Sequence, residues 1–146
     1  MPRQNLVRTA LFICLGLVVA AVYSFAAEEK EKPGKAAPNA KGRRDAAKKV
    51  YDGAMQRYMQ DPESVPGDVG YFHEWSVRWM QAEHDLGRTK TEEVAALEGH
   101  LKRMETWKAM LDERVKQAVA PVYSASAAEF FRLEAEDWLF EARSGK

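Results

Sequence analysis

The chain has 146 residues, room for one small domain and its appendages, with 22 basic and 22 acidic side chains and zero formal charge. That balance gives no electrostatic pull toward DNA, RNA or an anionic membrane surface. From Arg44 onward there are 15 basic and 19 acidic residues, so the folded part is mildly acidic and no nucleic-acid partner is expected.

Residues 1–26 read as a signal peptide. Arg3 and Arg8 precede the apolar run ALFICLGLVVAAVYSFAA (10–27), and Ser24 and Ala26 set small side chains before a cut at Ala27. The alternative is a retained membrane anchor, because this run is just long enough to span a bilayer. Either way the charge ahead of the run directs the remainder out of the cytoplasm, to a periplasmic or extracellular location, and a membrane is involved only if the leader is kept. Cys14 is the only cysteine and lies inside the leader, after the bulky Ile13, a poor setting for lipid attachment. A cleaved chain therefore has no thiol for disulfides, thiolate metal sites or nucleophilic catalysis. Residues 27–43 (EEKEKPGKAAPNAKGR from 28) carry charge, proline and glycine but no large apolar group. They cannot bury enough surface to offset their ordering entropy, and read as a mobile linker.

Residues 44–146 read as an all-α domain of four helices. The first spans 44–60, with Ala47, Val50, Tyr51, Ala54, Met55, Tyr58 and Met59 as its apolar stripe. Pro62 and Pro66 end it, and Asp68 is placed to cap a second helix reaching Leu86. Gly87 suits a left-handed helix end, and Thr89 with Glu92 has capping-box spacing for a third helix over 91–119. Its stripe is Val94, Leu97, Leu101, Met104, Leu111, Val115 and Ala118, broken at Lys108, where Trp107 fills the gap from the adjacent position. Such spacing lies along a straight partner, in a bundle or an antiparallel coiled coil. Ser126 with Glu129 forms a second capping box for a last helix reaching Ala142.

Two decamers, YFHEWSVRWM (71–80) and FFRLEAEDWL (130–139), repeat an aromatic pair, six residues, Trp and a large aliphatic at an offset of 59. Each follows a Pro-containing loop, so the repeating unit is a helix–loop–helix hairpin present twice, an internal duplication. Phe72 with Trp79 and Phe131 with Trp138 are two turns apart and share a face, which favours core packing over a ligand-stacking groove. Trp75 and Phe140 lie off that stripe and, with Trp107, are the candidate interaction surface.

No catalytic, cofactor-binding or metal set stands out. His73 and His84 are three turns apart, roughly 16 Å, too far for one metal ion. His100, among Glu98, Lys102 and Arg103, reads as part of a solvated polar face. The carboxylates of EAEDW (134–138) lie along one helix beside Arg132 and Arg143 and read as surface pairing rather than a catalytic pair. Met55, Met59, Met80, Met104 and Met110 fall at or beside the stripes as core filler, although thioethers could hold copper(I).

The segment ERVKQAVAPVYSASAAEFFRLEAEDWLFEA (113–142) resembles the helix–loop–helix segment of TolC-type outer-membrane efflux proteins, with residues 56–86 as a divergent copy. The resemblance implies the hairpin plan. It implies no channel, because the chain lacks the long tunnel helices and barrel strands of that family. The expected function is non-enzymatic: an exported helical scaffold that docks a protein partner or a second copy of itself in the bacterial envelope. A metal-binding or metal-responsive envelope protein is the alternative, and an enzyme of unknown class the third.

Overall fold

The computed structural model of the chain describes residues 37–65, 69–87 and 89–145. The leader, most of the linker and the Asp68 cap fall outside the described residues. Four helices follow in order: α1 (Ala40–Gln60), α2 (Gly70–Gly87), α3 (Lys90–Lys116) and α4 (Val122–Ser144), with a short 3-10 turn at Pro62–Ser64. Among the described residues there is no strand. No helix among them is long and apolar enough to cross a membrane.

Consecutive helices run antiparallel. Tyr58 near the end of α1 meets Phe72 near the start of α2 at 5.6 Å between ring centres, while Arg43 at the other end pairs with Asp85 at 2.7 Å. α3 and α4 are laced the same way by Arg143–Glu98 at 2.6 Å and Lys108–Glu129 at 3.8 Å. α2 and α3 form the centre, with α1 on one flank and α4 on the other. α1 starts four residues earlier than its sequence suggests, at a point where Ala40 is buried and the Ala37 amide donates to the Asp85 carbonyl at 3.2 Å. That contact satisfies a carbonyl near the end of α2, so tertiary packing extends a helix that composition alone would have ended.

The turn chemistry is half as read. At α3 the capping box is complete: Thr89 accepts from the Glu92 amide, and the Glu92 carboxylate accepts from the Thr89 amide. Gly87 does not turn left-handed; it ends α2 where the pinned Glu92 carboxylate comes so close that a Cβ would lie 2.0 Å from its Cδ. Ser126 caps nothing. α4 already begins at Val122, behind Pro121, and the Ser126 hydroxyl donates back to the Val122 carbonyl from inside the first turns. Proline at the N-cap position, with its fixed φ, starts the helix earlier than a hydroxyl five residues on could. α3 ends in a Schellman turn: the Val119 amide donates to the Arg114 carbonyl and the Ala118 amide to Val115, both at 2.9 Å. Ala118 occupies the left-handed position, with φ of 57°, where glycine is the usual residue.

The core has an aromatic end and an aliphatic end. Tyr51 and Tyr58 meet Phe72, and Tyr58 meets Trp107, edge to face, while Phe72 and Trp107 lie tilted at 40° with centres 4.3 Å apart. Leu97, Leu139 and Ala142 close the other end with Met80 and Trp138 beside them. On α3 the buried line is Leu97, His100, Met104, Trp107 and Leu111, a continuous three–four spacing. Trp107 fills the gap at Lys108 as its position suggested, and a histidine takes the place expected of Leu101.

Candidate functional site

Two features could carry function: a polar cluster sealed between α2, α3 and α4, and the outward face of α4.

The cluster is built around His100, which is 0 % exposed and corrects the expectation of a solvated side chain. It occupies a core slot on α3 because α2 supplies Ser76 opposite, its Oγ 2.8 Å from His100 Nδ1. Arg103, one turn on, donates from Nε to Ser76 Oγ at 2.7 Å and from Nη2 to the Ser76 carbonyl at 3.3 Å. A guanidinium only donates, so the hydroxyl oxygen accepts from Arg103 and its proton is directed at His100 Nδ1. That places the imidazole proton on Nε2, which is buried without a partner. Trp138 stacks on the ring at 5.6 Å, and Arg103 lies 4.0 Å over Trp79, whose Nε1 donates to Glu83 at 2.7 Å.

His73 on α2 stacks almost flat on Phe131, 4.2 Å between centres, and stands 5.6 Å from His100. Its Nε2 lies 3.1 Å from a Glu134 oxygen, within ion-pair range but off hydrogen-bond alignment. Burial holds both imidazoles neutral. His100 is pushed down to about 3, first by desolvation and then by the neighbouring charge of Arg103. His73 is lowered by burial against the opposing pull of Glu134. Nearby, burial raises the Tyr51 hydroxyl to about 12. The Ser76–His100 pair is closed to solvent on both sides, so no substrate atom reaches the hydroxyl. Among the described residues no group of three or more His, Cys, Asp or Glu is arranged to hold a metal ion. The cluster is a structural layer.

Of the three sequence-read surface residues, Trp107 must be removed: at 2 % exposure it is core, enclosed by Phe72 and Tyr58. Trp75 is half-buried on the α1 side, with the Arg78 guanidinium 4.5 Å over its ring. Phe140 is 66 % exposed on α4. The three do not form one surface. Phe130, the first ring of the second decamer, is 61 % exposed.

Phe130 and Phe140 belong to a second face of α4. Inward, toward the bundle, α4 presents Ser124, Ala128, Ala135 and Ala142, all buried, with Phe131, Trp138 and Leu139. Outward it presents Tyr123, Phe130, Leu133 and Phe140 at helical spacing, with Val122 and Val119 at one end. A surface helix normally buries its large side chains and exposes its small polar ones. α4 departs from this by carrying large apolar side chains on both faces: Phe131, Trp138 and Leu139 pack inward among close-fitting alanines, while Tyr123, Phe130, Leu133 and Phe140 stay exposed. Sequence reasoning picked out Phe140 of this face but not Tyr123, Phe130 or Leu133, because both sides of α4 carry large apolar residues at helical spacing.

Comparison with protein families, curated proteins and solved structures finds no match to this chain.

Proposed function

We propose that the chain is a non-enzymatic, exported helical domain that works by docking a helix of another protein, or of a second copy, on the outward face of α4. The observation that carries the reading is the second apolar face of α4, where Tyr123, Phe130, Leu133 and Phe140 stand exposed although the helix already packs Phe131, Trp138 and Leu139 inward. Contiguous apolar surface of this kind on an otherwise charged domain is characteristic of a protein contact. Export rests on the leader: Arg3 and Arg8, the apolar run and the small residues before Ala27. The acidic balance of the domain fits a protein partner better than an anionic surface.

A photo-crosslinking residue at Phe130 in living cells tests this, with the same residue at Lys102 on exposed α3 surface as control. Discrete crosslinked species at Phe130 and none at Lys102 are expected. Equal or absent crosslinking at both positions contradicts the reading.

A further inference from the structure

The outward stripe of α4 pairs residues of matching kind about its own midpoint. Its positions are Tyr123, Ser126, Phe130, Leu133, Asp137 and Phe140, all exposed and spaced three and four residues in alternation. They are symmetric about the peptide joining Phe131 to Arg132, so that Tyr123 mirrors Phe140, Ser126 mirrors Asp137, and Phe130 mirrors Leu133. We infer that the occupant of this face is a second copy of the same chain, with the two α4 helices antiparallel across a twofold axis through that point. The inference rests on the reading of α4 as a docking face and goes beyond it by naming the partner and its register.

In this register every layer matches in kind. Each end ring meets a ring, the two central layers pair Phe130 with Leu133, and the one polar layer sets the Ser126 hydroxyl against the Asp137 carboxylate as a donor to an acceptor. A parallel pairing would instead oppose Asp137 to Asp137 inside an apolar seam, and like charges there are repelled strongly. Part of the flanking charge is answered within each copy. Arg132 donates to Glu129 and to Glu136 at 3.0 Å. Asp137 is the stripe's only charge. A closed twofold contact of this kind uses one patch on both copies and stops at a dimer.

The area is adequate. Three aromatic rings of about 200 Å² each, roughly two-thirds free, together with Leu133, Val122 and Val119 offer on the order of 600 Å² per copy, about the smallest pairing that holds a specific dimer. Over about 26 Å of helix this predicts a reversible, concentration-dependent dimer rather than an obligate one.

Disulfide trapping reads the register directly, in the full chain carrying Cys14→Ser. One preparation carries Ser126→Cys, another Asp137→Cys. Mixed and mildly oxidised, they should form a crosslinked heterodimer, whereas neither should crosslink alone, since Ser126 of one copy lies roughly 16 Å from Ser126 of the other and a disulfide needs about 6 Å between Cα atoms. Sedimentation should show a concentration-dependent dimer that Phe130→Ser with Phe140→Ser abolishes while the thermal midpoint is kept. Crosslinking of either variant to itself overturns the antiparallel register. A monomer at every concentration up to hundreds of micromolar overturns self-pairing. In that case a crosslink from Phe130 to a different protein still supports the docking reading, and its absence overturns both.

Discussion

Trp107 and Phe140 look alike in the sequence and have opposite energetic roles. Trp107→Ala removes a fully packed ring and should cost about 3–5 kcal/mol, whereas Phe140→Ala should fall within about 0.5 kcal/mol, as denaturant midpoints will show. Ser76 is small but joins two helices. Ser76→Ala leaves Arg103 Nε and His100 Nδ1 without their partner, a loss of about 2 kcal/mol in urea unfolding. His100 gives stability a pH dependence whose sign is fixed. Its folded value of about 3 lies below the ordinary 6.5, so the unfolded chain takes up the proton more readily. Stability is therefore complete above about 6.5 and falls as pH drops toward about 3, by up to about 1.4 kcal/mol per pH unit. Between pH 6.5 and 5, above the range where carboxylates titrate, His100→Leu should flatten the dependence of the thermal midpoint, and an unchanged slope would contradict the neutral buried imidazole. His100 was not legible as core because its burial depends on Ser76 and Arg103 arriving from two elements. A polar residue in a three–four series was the only local sign.

At the scale of elements, what the sequence announced well was punctuation. Pro62 after α1 and the Thr89–Glu92 box each act where they stand. These are local devices, complete within a few residues. Ser126 and Glu129 have the same spacing as a capping box and form none, because Pro121 had already fixed where α4 begins. The loop between α3 and α4 holds a correctable strain. Ala118 sits left-handed at a cost of about 1 kcal/mol, which glycine would not incur. Ala118→Gly should raise stability by about 0.5–1 kcal/mol, seen as a higher urea midpoint at unchanged slope; a lower midpoint would mean that the turn differs from the one described. The orientation of α4 was the least legible feature, since both its faces obey helical spacing. Only the closeness of α3, reached through Ala128, Ala135 and Ala142, decides which face turns inward.

For the molecule as a whole, the expected four-helix, all-α plan is what the chain adopts, and its two antiparallel hairpins meet along α2 and α3. The buried histidine layer ties that meeting together, while the rings on the far side of α4 contribute nothing to it. Their exposure is the claim on which docking depends, and hydroxyl-radical footprinting measures it residue by residue. In dilute solution Phe130 and Phe140 should oxidise rapidly while Phe72 and Trp107 stay protected, and raising the concentration should protect Phe130 and Phe140 in turn. If Phe130 and Phe140 are as protected as Phe72 at the lowest concentration, α4 faces the other way and the account fails.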